Sequence, residues 1–405
     1  MYPLLGQAKT SRVCSFTCTF LSAKCGAAFA TCSPSHNPSS DFVEGTLNAI
    51  CRQSRVVAEA IEPRSVIQIA IGGGTPTYLN AYELNRVLRV LRQDWPVLPL
   101  GGIPFSVEVS PATVDSAKLS VLIEQRSAAD QHEVQSFVDR DLNSLGRPQK
   151  NRQVEEAIKL IRDSGISVLN LDLIYGSHEQ SEADWARTVR RALAYQPEEL
   201  FLYPLYIREL TGLGRTGRSP AENRRHLYGQ GREMLLQAGY RQISMRMFRR
   251  SDVVYSTQHC CQEDGMIGLG PGARSYTSEL HYSSEYAVSG VSVRKIIADF
   301  CRRADADFAV AGYGVTLNRD EQARRYLIRS LLQADGLDRT AFLTRFGDDV
   351  CRLVPQVDEL PELGFASLTS QRLVLNDAGL AHSDVIGPWL YSETVRKRME
   401  QFDLK

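Results

Sequence analysis

The chain lacks an excess of charge of either sign. Its 405 residues include 47 lysines and arginines and 47 aspartates and glutamates, so no overall field draws it to nucleic acid or to an anionic membrane. It also lacks any run of about 20 apolar residues, which a transmembrane helix requires. These absences predict a protein without nucleic-acid partners and without membrane-spanning segments.

The cysteines show no disulfide pattern. There are nine of them, an odd number scattered along a long chain, whereas disulfide frameworks are typical of small secreted domains. We therefore expect reduced thiols or ligands, and a cytoplasmic location. Cys260 and Cys261 are adjacent, which places them poorly for binding one metal ion together. We interpret them as plain thiols.

From residue 41 to about residue 290 the chain alternates between two patterns. Apolar runs at 66–71, 105–109 and 168–174 predict strands, and amphipathic stretches between them predict helices. Repeated strand-then-helix units of this length favour an α/β fold, either a parallel barrel or a doubly wound sheet. Such folds bind ligands at the C-terminal ends of their strands. Beyond about residue 300 the pattern is helical and predicts a smaller appended domain.

A glycine-rich loop follows the first of these strands. Residues 72–77 read Gly-Gly-Gly-Thr-Pro-Thr, and glycines let a ligand approach the main chain because they carry no Cβ. A tight turn is the simpler interpretation of the loop alone. Polar residues follow it in order, including an acidic residue, Asp172, in a strand so apolar that both of its faces must be covered.

Taken together, these segments resemble the radical S-adenosylmethionine (SAM) superfamily, in its branch of oxygen-independent coproporphyrinogen III oxidase-like proteins. The matching segments keep the family's order and spacing from about residue 41 to the C-terminus. They are Gly72–Thr77, Val107–Pro111, Val134–Phe137, Leu145–Arg147, Asn170–Gly176, Gly268–Tyr276, Arg325–Leu332 and Ser383–Pro388. The resemblance implies a partial (β/α)6 barrel of the TIM type over 41–290. It also implies a mainly helical C-terminal domain over 300–405 that covers the substrate.

The resemblance also implies a SAM site and assigns residues to it. The assigned residues are Gly73, Gly74, Thr75, Glu108, Gln135, Arg147 and Asp172. The chemistry agrees, because a methionyl group offers an ammonium to an anion and a carboxylate to a cation, and a ribose offers hydroxyls to a carboxylate. For one residue alone a structural role is simpler, such as an ion pair for Glu108 or a helix cap for Arg147. The whole set favours the SAM site, and no catalytic residue is predicted.

The segment Gly268–Tyr276 has two open interpretations. Its turn at Gly270-Pro271-Gly272, beside Arg274, is either a loop on the substrate side or a tight turn that closes the barrel.

The element that defines the family is broken in this chain. Three cysteines spaced CxxxCxxC hold three irons of a [4Fe–4S] cluster and leave the fourth iron open for SAM. The resemblance places this motif upstream of the glycine loop, within residues 14–32. Cys14 and Cys18 have the spacing of the first two motif cysteines, but Leu21 stands where the third cysteine is needed, and the spacing of Cys25 and Cys32 is wrong. Residues 1–40 therefore form an aberrant segment, in which Cys14, Cys18 and Cys25 are the candidate ligands.

A shifted reading frame offers an explanation. Codons can be chosen for Leu21–Ala30 so that the same DNA, translated in a shifted frame, gives F-C-E-M-R-C-G-F-C. This peptide contains an intact CxxxCxxC motif. We hypothesise that residues from about 14 to 37 are read out of frame. A second window of the same kind is Arg126–Glu133, where polar residues replace the expected apolar strand.

The expected function depends on this motif. With an intact cluster, the resemblance implies reductive cleavage of SAM to a 5′-deoxyadenosyl radical, a tetrapyrrole-like substrate, and a reductant such as flavodoxin or ferredoxin. With the motif as written, we expect the chain to be inactive in that reaction. The alternative from another class is a non-catalytic haem or tetrapyrrole carrier on the same fold. A barrel enzyme without a cluster is a third interpretation, but no Ser/His/Asp set or pair of carboxylates of the hydrolytic type supports it.

Overall fold

The computed structural model describes residues 2–3, 14–19, 25–26, 30–31, 40–61, 66–73, 75–95, 105–124, 132–137, 151–178, 180–207, 223–253, 265–283 and 290–401. The strands are β1 (Tyr2–Pro3), β2 (Cys14–Thr19), β3 (Cys25–Gly26), β4 (Ala30–Thr31), β5 (Val66–Gly72), β6 (Phe105–Val109), β7 (His132–Phe137), β8 (Val168–Tyr175), β9 (Glu199–Pro204), β10 (Tyr240–Gln242), β11 (Met247–Arg250), β12 (Met266–Leu269), β13 (Arg274–Tyr276), β14 (Leu280–Ser283), β15 (Val310–Ala311), β16 (Gly314–Thr316), β17 (Leu337–Asp338), β18 (Ala366–Leu368) and β19 (Arg372–Leu375). The helices are α1 (Ser40–Ile61), α2 (Ala81–Asp94), α3 (Ser116–Glu124), α4 (Asn151–Asp163), α5 (Glu182–Ala194), α6 (Arg224–Gln237), α7 (Gly290–Arg302), α8 (Asp305–Phe308), α9 (Arg319–Leu331), α10 (Arg339–Phe346), α11 (Val350–Leu353), α12 (Glu359–Glu362), α13 (Asp377–Ala381), α14 (Ser383–Trp389) and α15 (Glu393–Glu400).

Twelve of these strands form one sheet in the order β10-β11-β9-β8-β7-β6-β5-β2-β12-β13-β14-β16. The neighbours from β2 to β9 are all parallel. The helices α1 to α5 connect these six strands in turn. The partial (β/α)6 barrel predicted from the sequence is confirmed.

The parallel strands bury an apolar face against their helices. On β8, Leu169, Leu171 and Leu173 are each 0% exposed and share one core with Ile161 of α4 and Trp185 of α5. The alternate positions of β8 carry the polar side chains, because successive residues of a strand point to opposite faces. The apolar face therefore anchors the strand, and the other face is left for polar groups.

The first barrel strand, β2, lies within residues 1–40, the segment that the sequence analysis describes as aberrant. The backbone of β2 pairs in parallel with β5 on one side, from Cys14 opposite Val66 to Thr19 opposite Gly72. On its other side it pairs in parallel with β12. The division of the chain at residue 41 stays a prediction.

The C-terminal region has a core of its own, built on α9 to α14 and on the three-stranded sheet β17-β19-β18. It is mainly helical, as expected. Helix α9 follows β16, one edge strand of the large sheet, and its C-terminal end bonds to the turn after β10, the other edge strand. There the Met245 amide donates to the Leu332 carbonyl at 2.9 Å, and the Ala334 amide donates to the Ile243 carbonyl at 3.0 Å. Helix α9 thus bridges the two edges of the open sheet.

Among the described residues, no helix combines the length and the apolar character that crossing a membrane requires.

Candidate cofactor site

The glycine loop leaves β5 at the C-terminal edge of the parallel strands. Gly73 has a φ of +80°, a conformation that glycine adopts without strain. A Cβ added to Gly72 would lie 2.5 Å from Oε1 of Glu108. A side chain at position 72 would therefore displace the Glu108 carboxyl group from its place against the loop.

Glu108, on β6, lies directly against this loop. Its Oε2 accepts a hydrogen bond from the Gly73 amide at 3.1 Å. Burial raises the pKa of Glu108 to about 7, and the Gly73 hydrogen bond offsets part of that rise. A carboxyl group held near neutral pKa by burial ionises readily when a cation is placed beside it. The site thus suits an ammonium ligand.

A row of polar positions crosses four strands at the level of Glu108. The register pairs Glu108 with Gln135 of β7, Gln135 with Asn170 of β8, and Asn170 with Glu199 of β9. Asp172 lies two residues beyond Asn170, nearer to the C-terminal edge, and is 6% exposed. Paired residues in a parallel sheet share a face, so the barrel carries a polar row opposite its apolar face.

Asn170 and Glu199 were not assigned a role from the sequence. Glu199 is almost fully buried and accepts a hydrogen bond from Nε of Arg249 at 2.8 Å. The alternation of Asn170 and Asp172 with leucines along β8 could have pointed to Asn170. On β9 the face of Glu199 continues with Phe201 and Tyr203, so no such alternation marks Glu199.

The loop beyond the glycines is held by its own hydrogen bonds. The Tyr78 amide donates to the Thr75 carbonyl at 2.8 Å, which begins a short 3-10 turn at Pro76–Tyr78. Helix α2 then starts from a capping box, in which the Glu83 amide donates to Asn80 Oδ1 at 2.9 Å and the Asn80 amide donates to Glu83 Oε2 at 2.8 Å. The main chain around Thr75 is thereby fixed.

The turn at Gly270–Gly272 joins the antiparallel strands β12 and β13. Gly270 and Gly272 have φ values of +101° and +84°, and the Gly270 amide donates to Gln53 Oε1 on α1 at 2.8 Å. Since Leu269 pairs with Cys18 at the end of β2, the turn lies at the same edge as the glycine loop. It is a tight turn at the C-terminal edge of the parallel strands.

The structure brings together part of the set predicted from the sequence. Gly73 and Glu108 are in direct contact, and the register places Gln135 and Asp172 on the adjoining strands. Only the backbone of Gln135 is described. Gly74, Arg147, Cys260 and Cys261 lie outside the described residues, so their predicted roles stay predictions.

The candidate cluster cysteines do not fit a three-cysteine site. Cys14 and Cys18 begin and nearly end the same strand, so their backbones are about 13 Å apart at the rise of an extended chain. Cys25 lies in a separate two-stranded ladder, paired with Thr31. In the described part of the chain, no group of three or more His, Cys, Asp or Glu residues could hold a metal ion.

Residues 9–192 match the family model of the Radical SAM superfamily. This match runs from before β2 to the end of α5 and contains the glycine loop, Glu108 and Asp172. Over residues 9–192, just under half of its length, the chain carries a radical SAM domain. SAM and a [4Fe–4S] cluster are the cofactors of that superfamily. The described residues of this chain fit SAM, through the glycine loop with the half-buried Glu108 and the buried Asp172, and they do not fit the cluster.

Curated relatives place the chain in the expected branch. It is 28% identical over 243 residues to "Heme chaperone HemW" of Synechocystis, covering 57% of this chain and 57% of that protein. It is 24% identical over 362 residues to "Oxygen-independent coproporphyrinogen III oxidase" of Pseudomonas aeruginosa, covering 82% of this chain and 75% of that protein. The chain thus spans little more than half the length of the chaperone.

A solved structure shares the whole fold. The coproporphyrinogen III oxidase HemN of Escherichia coli has a TM-score of 0.77 at 18% identity, covering 96% of this chain and 92% of that one. At this identity the likeness supports the fold alone, that is, a partial barrel followed by a mainly helical C-terminal domain.

Proposed function

We propose that this radical SAM protein binds SAM at the C-terminal edge of its barrel and takes a tetrapyrrole as its substrate or cargo. The observation that carries the proposal is the contact of Glu108 with the glycine loop, where Gly72 leaves room for a carboxyl group whose pKa burial raises to about 7. Among the residues that the structure describes, no ion pair links Glu108 to a cation, and a half-buried carboxyl of this kind suits a ligand that brings its own positive charge.

In this proposal, three residues of the site each bind a different group of SAM. Glu108 would accept hydrogen bonds from the ammonium, Asp172 would accept them from the ribose hydroxyls, and Arg147 would pair with the carboxylate. The proton that Glu108 holds below pH 7 would leave as the ammonium binds. When bound, SAM supplies a sulfonium whose carbon–sulfur bond is the source of the superfamily's radical.

The proposal that the ligand is a tetrapyrrole is supported by the relatives of the chain. They are named as a haem chaperone and as coproporphyrinogen III oxidases. We place the protein in the cytoplasm, since its cysteines show no disulfide pattern. A reductant such as flavodoxin or ferredoxin is needed only by a chain that holds the cluster.

A carrier function is the second candidate, and the positions of the cysteines favour it. The backbones of Cys14 and Cys18 lie about 13 Å apart along one strand, which is too far for both to bind one cluster, so the chain as written is expected to bind its ligands without turnover. If residues 14–37 follow the alternative frame, the chain has the three cysteines of the motif, and we expect it to bind the cluster and to carry out the radical reaction.

Two versions of the protein test the proposal: the chain as written, and a chain whose residues 14–37 follow the alternative frame. We expect both to bind SAM and a tetrapyrrole in calorimetric titrations. Only the second is expected to take up about four irons per chain and to release 5′-deoxyadenosine with SAM and dithionite. Its matched control is the same chain with one motif cysteine changed to alanine.

The outcomes separate the two candidates. An as-written chain that binds neither SAM nor a tetrapyrrole contradicts the proposal. A reframed chain that gains no iron contradicts the frame hypothesis and favours the carrier. Sequencing the coding DNA across codons 1–40 and 120–135 decides which version the gene encodes.

A further inference from the structure

A cluster of polar residues joins the end of the glycine loop to the segment that follows β6. Its members are Thr77 at the end of the loop, Ser110 and Thr113 after β6, and Lys118 on α3. Thr77 is fully buried, and the side chain of Lys118 is only 13% exposed. We call these four residues the Thr77 cluster.

The Lys118 ammonium connects the two main-chain segments. Its Nζ donates to the Thr77 carbonyl at 2.8 Å and to the Thr113 carbonyl at 2.6 Å, and it pairs with Oδ2 of Asp115 at 3.2 Å. An ammonium group has three N–H donors, and hydrogen bonds from a charged donor are stronger than those between neutral groups. Lys118 therefore holds the end of the glycine loop to the segment after β6.

The Thr77 hydroxyl makes a second connection between the same segments. Its Oγ1 accepts a hydrogen bond from the Ser110 amide at 3.2 Å and lies 2.7 Å from Oγ1 of Thr113. A valine at this position would fill nearly the same volume, but it would take the acceptor away from the Ser110 amide. Since Thr77 is fully buried, a lost hydrogen bond there is costly.

The Thr77 cluster lies close to the contact between Glu108 and the loop. The paired residues of β5 and β6 end at Ile71 and Val107, so Gly73 and Glu108 come just beyond the ladder, where the Gly73 amide donates to the carboxyl group. The cluster follows four residues after Gly73 and two residues after Glu108. The ladder on one side and the Thr77 cluster on the other thus hold the loop against β6 at Glu108.

We propose that Lys118 and Thr77 are positioning residues of the SAM site, which act by holding the glycine loop against Glu108. This inference rests on the proposed binding of SAM and deepens it. The sequence analysis placed Thr77 in the matching segment Gly72–Thr77 without giving it a role. Because Thr77 is fully buried, its effect on a ligand passes through the loop and through Glu108.

Calorimetric titration with SAM tests the inference on the full chain. Lys118→Met removes the ammonium and keeps an unbranched side chain, and we expect it to raise the Kd for SAM at pH 8 about tenfold, as the loss of a hydrogen bond to a charged group does. Thr77→Val should act in the same direction, and Thr77→Ser, which keeps the hydroxyl, should recover most of the affinity. The matched control is Lys159→Met, at an exposed lysine of α4.

An effect that passes through Glu108 cannot be additive with the loss of Glu108. In the Glu108→Gln background, Lys118→Met should change the Kd for SAM by less than about twofold, because the carboxyl group that it positions is already absent. A lysine that only supports the fold would weaken SAM binding by the same factor in both backgrounds.

The ligand-free chain gives a second readout. Burial is the cause that raises the pKa of Glu108 from 4.5 to about 7, and the charge of Lys118 does not contribute to this shift. A loosened loop admits water to the carboxyl group, so Lys118→Met should lower this pKa. The unfolding free energy should then fall less between pH 5 and pH 8 than it does in the unmodified chain.

Asp115 does not disturb this readout. Burial would raise the pKa of Asp115, but its hydrogen bonds with Lys118 hold it below the usual value, so the carboxyl group stays ionised above about pH 5. A lysine that only supports the fold would lower the unfolding free energy by the same amount at both pH values.

The outcomes separate the inference from the function on which it rests. Variants that bind SAM as tightly as the unmodified chain, equal effects in the two backgrounds, or an unchanged pH dependence of unfolding each overturn the inference and leave the proposed binding of SAM intact. If Lys118→Met does not fold, Thr77→Val decides by the same readouts, since it only replaces a hydroxyl with a methyl group. An unmodified chain that binds no SAM overturns the proposed function together with the inference.

Discussion

Replacing Glu108 with glutamine should stabilise the ligand-free protein and weaken its SAM site. Burial raises the pKa of this carboxyl from 4.5 to about 7, so the folded state holds the proton more tightly than the unfolded state does. Between these pH values the unfolded chain loses its proton first, and the free energy of unfolding falls as pH rises. Glutamine stays neutral, and its carbonyl oxygen can still accept the hydrogen bond from Gly73.

The magnitude follows from the shift. A change of about 2.5 pKa units at about 1.36 kcal/mol each corresponds to an upper limit of about 3 kcal/mol. We therefore expect Glu108→Gln to exceed the unmodified chain in unfolding free energy by up to about 3 kcal/mol at pH 8 and to nearly equal it at pH 4.5. Urea unfolding at several pH values measures both. The matched control is Glu156→Gln on α4, whose side chain is 56% exposed.

SAM binding should move in the opposite direction. The affinity of the unmodified chain is expected to rise with pH through about 7, because ionisation of Glu108 provides the partner of the ammonium. Glu108→Gln is expected to bind SAM at least about tenfold more weakly at pH 8 and to lose this pH dependence. A variant that is less stable than the unmodified chain at pH 8, or that keeps the pH dependence of SAM affinity, would refute the reasoning.

Two further experiments test packing, one at the glycine loop and one between the barrel and the C-terminal domain. Gly72→Ala places a Cβ 2.5 Å from the Glu108 carboxyl group, so SAM titration should show at least about tenfold weaker binding. The control Gly229→Ala, which has open space at its Cβ, should bind SAM normally. Equal affinities of the two variants contradict a SAM site at the glycine loop. Arg246 and Asp384 form an ion pair at 2.8 Å between the turn after β10 and α14. A double-mutant cycle of their alanine variants in urea should give a coupling of about 1 kcal/mol, and a coupling of zero would show that the pair does not help to dock the C-terminal domain.

The elements of the barrel were predictable because each depends on its own residues. Phe105–Val109 is a strand with the bounds that the sequence predicts, and the strand predicted at 66–71 extends by one residue to Gly72. Helix α4 ends at Asp163, and Gly165 has a φ of +75°, as a glycine after a helix commonly does. Strand and helix periods are local signals, so a single sequence reveals them.

The interpretation of β8 shows what local signals leave out. Both faces of this strand are buried, as its apolar run predicts. However, Asn170 and Asp172 share one face, and only the register with β7 and β9 shows that this face belongs to a polar row across the barrel. The sequence marked Asp172 as unusual but could not say which residues it would face.

The sequence by itself determined the order of strands and helices, the glycine loop and the broken cysteine motif, since these depend on residue types and short spacings. Only the tertiary structure showed that Gly72 packs against the carboxyl group of Glu108, 36 residues further along the chain, and that α9 bridges the open edges of the sheet. The physical reason is that such contacts join residues far apart in the chain. Strand register and helix docking bring them together, and no local pattern encodes either.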